Sequence, residues 1–335
     1  MELPSPLEEN QSADRGVTVE VISPNDPRYR PAAIPQPQSY EHPPRYILAA
    51  FLYVATCLST FLAGALHSGQ ILVEEGKEWE PFVNDWGLLW EWGLSYSLAV
   101  MGILTFHELG HYLQAKRYGV PASLPYFIPF PMLNPFGTMG AVIVQRTGWR
   151  DRKILFDIAV TGPLAGLVLT IPILYFGLKS SEYMPIQPEL MGEPGFIRYG
   201  DPLIVKLMAS WILGEQPANS DILLTPLLFA AWVGLFVTAL NLIPLGQLDG
   251  GHILYALIGR KAHRLALALV LFAVIWMVYN HRYEYTLMLI LVAWMGVKHP
   301  PTGDDRAHLG PFRVIIGWLT LAFLILGFTP TPLIM

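Results

Sequence analysis

Long apolar runs separated by short polar or proline-broken stretches dominate the chain, and each uncharged run of about twenty residues is a candidate membrane helix. Tyr46 to Leu66 passes without a charged side chain and gives the first span. The second, Leu94–Tyr118, carries Lys116 and Arg117 in its last turn, with Gly119 suited to a C-cap and Pro121 preventing continuation. A third at about 154–178 holds Asp157 near its start and Gly162-Pro163-Leu164-Ala165-Gly166 in its body, small residues that let helices approach closely. The fourth runs from about Ile222 to Leu242 and is interrupted by Asn241-Leu242-Ile243-Pro244-Leu245-Gly246-Gln247-Leu248-Asp249-Gly250-Gly251-His252, after which a helical turn resumes towards Arg260. Spans at about 265–280, 285–297 and 314–330 bring the total to about seven, and the fold class to an all-α polytopic membrane protein.

Residues 121–145 break the pattern, because Pro121, Pro125, Pro129, Pro131 and Pro135 forbid a regular helix in a segment that is nonetheless apolar. Non-helical backbone at membrane depth survives only when buried in protein or lining a wet cavity. The segment therefore predicts a re-entrant, membrane-embedded β-hairpin with Gly137–Gln145 as an extended strand; a loop lying on the bilayer is the competing reading. Beside a reactive centre, the free edge of such a strand could accept an unwound peptide segment by strand addition.

The remaining stretches are polar. Residues 1–45 hold nine prolines, seven acidic and four basic side chains, a composition that reads as a flexible tail with at most a short strand at Val17–Ile22. That tail lacks the apolar core and cleavage pattern of a signal peptide, and its acids argue against an organelle transit peptide. Between the first two spans, Glu74, Glu75, Glu78, Glu80, Asp85 and Glu91 face a single Lys77, while Trp79, Trp86, Trp90 and Trp92 suggest an interfacial belt. The connection 179–221 is acidic and punctuated by Pro and Gly, with an amphipathic stretch at Leu203–Leu213 suited to a membrane surface. Four segments follow: a tail (1–45), a first helix with its acidic outer loop (46–93), a central core (94–260) and C-terminal helices (261–335).

Composition agrees with the spans. The 335 residues are 53% hydrophobic and 14% charged, with a mean hydropathy of +0.41, which excludes an ordinary soluble globule. Cys57 is the single cysteine, so neither an intrachain disulfide nor a cysteine-based metal site is available. Net charge is −5 without a Lys/Arg-rich block, which gives nucleic-acid binding little support. Lys116, Arg117, the basic residues of 146–153, then Arg260, Lys261 and Arg264, then Lys298, Arg306 and Arg313 all fall on one side when spans are counted in alternation from a cytoplasmic tail. The acidic loops then lie outside.

Chemistry concentrates in the second span, at Phe106-His107-Glu108-Leu109-Gly110-His111. Four helical positions apart, His107 and His111 point their imidazoles at one metal ion from the same face, with Glu108 beside it. Zinc held by two imidazoles and a third ligand keeps an open position where water reaches a pKa near 7. The glutamate can take that water's proton and return it to a leaving amine. A carboxylate on another helix is the natural third ligand, and Asp249, among the helix-breaking Pro244, Gly246, Gly250 and Gly251, fits that need. Asn241 could donate a hydrogen bond to a carbonyl or to a developing oxyanion. His252 is a candidate ligand or a neighbour of the metal. Asp157 is either an alternative ligand or the partner of Arg152 or Lys153. His67, His263, His281, His299 and His308 fall at span ends or in connections, where histidine is ordinary.

These motifs, in this order, resemble the site-2 protease family of intramembrane zinc metalloproteases: His107-Glu108-x-x-His111, Gly162-Pro163-x-x-Gly166, and Asn241-x-x-Pro244 with Leu248-Asp249-Gly250-Gly251. The resemblance covers roughly residues 94–260, the family's three-helix catalytic core. Gly137-Thr138-Met139-Gly140 and Phe156-Asp157 are most similar to the subgroup found in many bacteria and in plastids. The resemblance implies one Zn2+ ion held by His107, His111 and Asp249, Glu108 as general base and Asn241 as a substrate or transition-state contact. It implies regulated intramembrane proteolysis of a single-pass or other transmembrane protein substrate within the lipid bilayer. The alternative is a zinc-binding membrane protein without proteolysis, an ion carrier or an inactive homologue acting as a chaperone. No segment is long and polar enough for the PDZ domain that many relatives carry, and the plant-type proteins have longer N-terminal regions. The compartment implied is a bacterial cytoplasmic membrane, with a plastid membrane as the alternative and the N-terminus cytoplasmic; no oligomer is read from the sequence.

Overall fold

The structure is a computed structural model and describes residues 45–74, 86–144, 151–186, 197–281, 283 and 285–334. The expected tail, the strand at Val17–Ile22, most of the acidic outer loop, Gln145, Arg146 and Arg150 lie outside the described residues. Helices α1 (Tyr46–Glu74), α2 (Trp86–Arg117) and α3 (Arg152–Lys179) follow the first three expected spans. Asp151 caps α3, accepting a hydrogen bond from the Ile154 amide, one of the orphan donors of a helix start.

The fourth expected span is helix α5 (Pro226–Leu242), which starts later than the apolar run that predicts it. Thr225 caps it through the Leu228 amide and Pro226 supplies a preformed first turn. Just upstream, the residues Ser220–Ile222 are drawn into a strand. From Leu228 to Leu235 every α5 residue is buried, so the helix is enclosed on all sides and needs no amphipathic stripe. It packs against α2 and α3, and these three make the centre of the molecule. Phe229 and Trp232 of α5 meet Tyr96 of α2 in an aromatic cluster, and the Trp232 indole N–H donates to the Gly200 carbonyl.

Beyond the motif loop, α6 (Asp249–Ile258) runs through a single 3-10 turn, Gly259–Lys261, into α7 (Ala262–Asn280), then α8 (Thr286–Met295) and α9 (Pro311–Gly327). The helical turn expected to resume towards Arg260 is α6, and it continues into α7, over the span expected at about 265–280, with Gly259 at φ +61° between them. Among the described residues, four segments are long and apolar enough to cross a membrane: Tyr46–His67, Trp86–Arg117, Arg152–Lys179 and Asp249–Asn280. The helices α5 and α9, expected as full spans, have 17 residues each, a rise of about 25 Å against about 30 Å of hydrocarbon. Helix α8 is shorter still, at 10 residues.

An all-α description is too simple. Among the described residues there are three two-stranded antiparallel ribbons: β1 (Tyr126–Pro129) with β2 (Thr138–Val142), β3 (Tyr183–Pro185) with β5 (Ser220–Ile222), and β4 (Arg198–Tyr199) with β6 (Leu333–Ile334). The first is a hairpin in the segment where one is expected, with its second strand at Thr138–Val142 within the expected 137–145. The other two flank the short helix α4 (Leu203–Ile212) or close the chain's end, in strands too short to show a two-residue period. The β1–β2 tip is fixed by Asn134, whose Oδ1 accepts from the Phe136 and Gly137 amides and whose Nδ2 donates to the Thr138 carbonyl. Ser59 of α1 donates to the Gly137 carbonyl and Tyr96 of α2 to the Phe136 carbonyl, so the hairpin is tied to the bundle at its turn.

Candidate metal centre

His107, Glu108 and His111 lie on the buried face of α2, at 3%, 6% and 7% exposure. The opposing surface is α3, and it is made of backbone. A Cβ placed on Gly110 would lie 2.5 Å from the Thr161 carbonyl oxygen, and one on Gly162 only 2.0 Å from Nε2 of His111. Gly166 leaves similar room beside His107, where a Cβ would sit 3.3 Å from the ring. The small residues of the third helix thus have a local reason: the imidazoles occupy the space where side chains would be.

The third participant arrives from the motif loop. Pro244 lies just past the end of α5, and Gly246, with φ +52°, turns the chain so that α6 begins at Asp249. Gly250 and Gly251 then press against the turn that precedes them; a Cβ on Gly250 would lie 1.9 Å from the Leu242 carbonyl oxygen. Asp249 is the first helical residue of α6, where the positive end of the helix dipole favours a carboxylate by about 0.3–1 kcal/mol.

These elements bring three lone-pair atoms together. Asp249 Oδ2 lies 3.2 Å from His107 Nε2 and 3.3 Å from His111 Nε2, and the two imidazole nitrogens are 3.2 Å apart. Ligands about 2.0–2.1 Å from a tetrahedral zinc are separated by roughly 3.3–3.4 Å, so the spacing suits that ion. His111 Nδ1 lies 2.8 Å from the Ile158 carbonyl oxygen, which makes Nδ1 the protonated nitrogen and leaves Nε2 as the donor atom for a metal. Two imidazoles and one carboxylate form the set expected of a catalytic zinc that keeps an open position. Glu108 is within electrostatic reach of all three. The amide nitrogen of Asn241 is 3.5 Å from His107 Nε2, at the edge of the same site.

His252 and Asp157 are engaged elsewhere. His252 Nδ1 is 2.7 Å from His299 Nε2, and Tyr255 stacks on His299 with ring centroids 4.3 Å apart. Asp157 pairs with Arg313 of α9 and accepts from the Tyr118 hydroxyl, instead of meeting Arg152 or Lys153. His67 and His299 are buried among aromatic rings and are not ordinary span-end histidines; His67 stacks on Phe229 at 4.2 Å. The carbonyl of Ile158 was not foreseeable, since a backbone oxygen leaves no mark in a residue pattern.

Comparison with known proteins agrees with this geometry. The family model described as Peptidase family M50 matches residues 95–279. The chain is 32% identical over 227 residues to a protein of Arabidopsis thaliana named probable zinc metalloprotease EGY1, chloroplastic, covering 65% of this chain and 41% of the relative. Its counterpart of the same name in Oryza sativa subsp. japonica is 35% identical over 183 residues, 54% of this chain and 30% of the relative. A third, probable zinc metalloprotease EGY2, chloroplastic, of Oryza sativa subsp. indica, is 33% identical over 172 residues, 50% of this chain and 30% of the relative. The chain thus spans well under half the length of the curated relatives it matches. The His107–His111–Asp249 cluster, helices α3 to α6 and α2 from residue 95 onward fall inside the matched residues, more than half of the chain, and the chain belongs to Peptidase family M50.

Proposed function

We propose that the chain is an intramembrane zinc endopeptidase that hydrolyses a peptide bond in or near a transmembrane segment of a membrane-protein substrate. One observation carries the reading: His107, His111 and Asp249 converge at 3.2–3.3 Å from one another beside a buried Glu108. In this reading those three residues hold a single zinc ion. When bound, zinc supplies Lewis acidity and makes water nucleophilic near neutral pH. Glu108 takes the proton of the attacking water and delivers it to the leaving amine as the C–N bond breaks. Asn241 donates to the oxygen of the scissile carbonyl as negative charge gathers there, a contribution on the order of 10²–10³ in rate for a well-placed donor.

A helical substrate hides its carbonyls in its own hydrogen bonds, so it must unwind before attack. The edge of β2 away from β1 has no strand neighbour among the described residues and offers backbone partners for the unwound segment. The proposal places this hairpin at membrane depth as a re-entrant element, and lets α5, α8 and α9 complete seven crossings around a core at 94–260, with 46–93 and 261–335 flanking it. The basic helix ends face the cytoplasmic or equivalent inner compartment, where the N-terminus also lies. The chloroplastic names of the relatives weigh for a plastid membrane over a bacterial cytoplasmic membrane.

The test is Glu108→Gln in the full chain, co-expressed with a membrane-tethered substrate carrying a cleavable transmembrane segment. Cleavage is lost while zinc content stays at the wild-type level. Undiminished cleavage in this variant removes Glu108 as the base. A zinc-loaded wild-type protein that cleaves no transmembrane segment favours the non-proteolytic alternative.

A further inference from the structure

Arg313 stands on α9, beyond the residues that the family model covers. Its guanidinium meets Asp157 through two bonds, Nε to Oδ1 at 2.7 Å and Nη2 to Oδ2 at 2.8 Å, the parallel fork that makes Arg–carboxylate pairs strong and directional. The Tyr118 hydroxyl donates to the same Oδ2. Asp157 has a side chain only 12% exposed, so its charge depends on these partners. One buried carboxylate therefore joins the end of α2, the start of α3 and the start of α9.

The joint lies at the end of the surface that carries the histidines. Tyr118, just past the end of α2, and then His111 and His107 of α2 meet Asp157, Gly162 and Gly166 of α3 in turn, so the two helices run antiparallel. Ile158, whose carbonyl oxygen orients His111, is the residue immediately after Asp157. Thr161, one turn further, donates to the Gly110 carbonyl and to Ile158. Ile158 and Thr161 therefore tie this part of α3 to the turn of α2 that carries Gly110 and His111. The same C-terminal stretch also touches the helices around the centre: Arg152 Nε of α3 donates to the Ala307 carbonyl, the Tyr255 hydroxyl of α6 donates to Asp305, and Gly317 sits against Phe156 of α3.

We infer that Arg313 is a positioning residue for the metal centre: its fork holds the Asp157 carboxylate, which the Tyr118 hydroxyl also binds, and so fixes the start of α3 with the Ile158 carbonyl against His111. This rests on the reading of His111 as a zinc ligand. The C-terminal helix thereby supplies an outer support of the metal site from beyond the matched core.

The experiment measures zinc affinity of the full-length protein in detergent, by competition with a chelator, together with helix content and melting temperature. Arg313→Gln lowers zinc affinity by about tenfold or more, the usual cost of losing an outer-shell partner, at unchanged helix content. Arg313→Lys, which keeps the charge without the fork, falls between. Asp157→Asn combined with Arg313→Gln is no weaker than the weaker single variant. Leu321→Ala, which loosens α9 without touching Asp157, lowers the melting temperature and leaves zinc affinity unchanged. Wild-type zinc affinity in Arg313→Gln, or an equal loss in Leu321→Ala, overturns the inference. Retention of zinc by His111→Ala overturns the ligand reading and this inference with it. Since zinc binding is the readout, failure of the proteolytic reading leaves the result standing.

Discussion

Gly162 is the residue on which the spacing of the centre turns. A methyl group there would lie 2.0 Å from His111 Nε2, whereas the same change at Gly166 meets His107 at 3.3 Å, a contact relieved by a few tenths of an ångström. Gly162→Ala is therefore expected to displace His111 and weaken zinc binding by about 10- to 100-fold, the range seen when a ligand loses its orientation. Gly166→Ala is expected to cost a small fraction of that. Chelator competition on the two variants measures the difference, and equal affinities would contradict the packing described. At this scale the sequence was informative about side chains and silent about backbone. The spacing of His107, Glu108 and His111 and the lone carboxylate in a glycine-rich break pointed to the converging residues. The Ile158 carbonyl and the choice of Arg313 by Asp157 depend on long-range pairing, which local spacing does not encode.

At the scale of elements, the hairpin β1–β2 is the piece whose loss should separate substrate handling from metal binding. Asn134 makes three hydrogen bonds that shape its tip, and Ser59 and Tyr96 anchor that tip to α1 and α2. Asn134→Ala leaves backbone donors without their partner, at a cost of about 1–3 kcal/mol to local order. The expected outcome is a raised KM for a transmembrane substrate with zinc content unchanged; a wild-type KM would separate the hairpin from substrate binding. Spans α1 to α3 were readable because apolar length is a strong signal. The start of α5 was misplaced because Ser220–Ile222 pairs with Tyr183–Pro185, a contact between segments that share no visible period. The ribbon of β4 with β6 escaped for the same reason: short strands are decided by their partners.

Across the whole molecule, distant parts of the chain meet at one centre. The histidines come from α2, their support from α3, the carboxylate from the start of α6, and a brace from α9. In a bilayer, where apolar side chains gain little by leaving lipid for protein, such an assembly relies on close backbone packing and on polar contacts between helices. Both are present here, in the glycines of α3 and α6 and in the Asp157 joint. The central claim is that His107, His111 and Asp249 share one ion. It is tested most directly by zinc stoichiometry of the purified full-length protein and its Asp249→Ala variant. The account predicts one zinc per wild-type chain and its loss from the variant under the same chelator wash; one zinc retained by Asp249→Ala with wild-type affinity would contradict it.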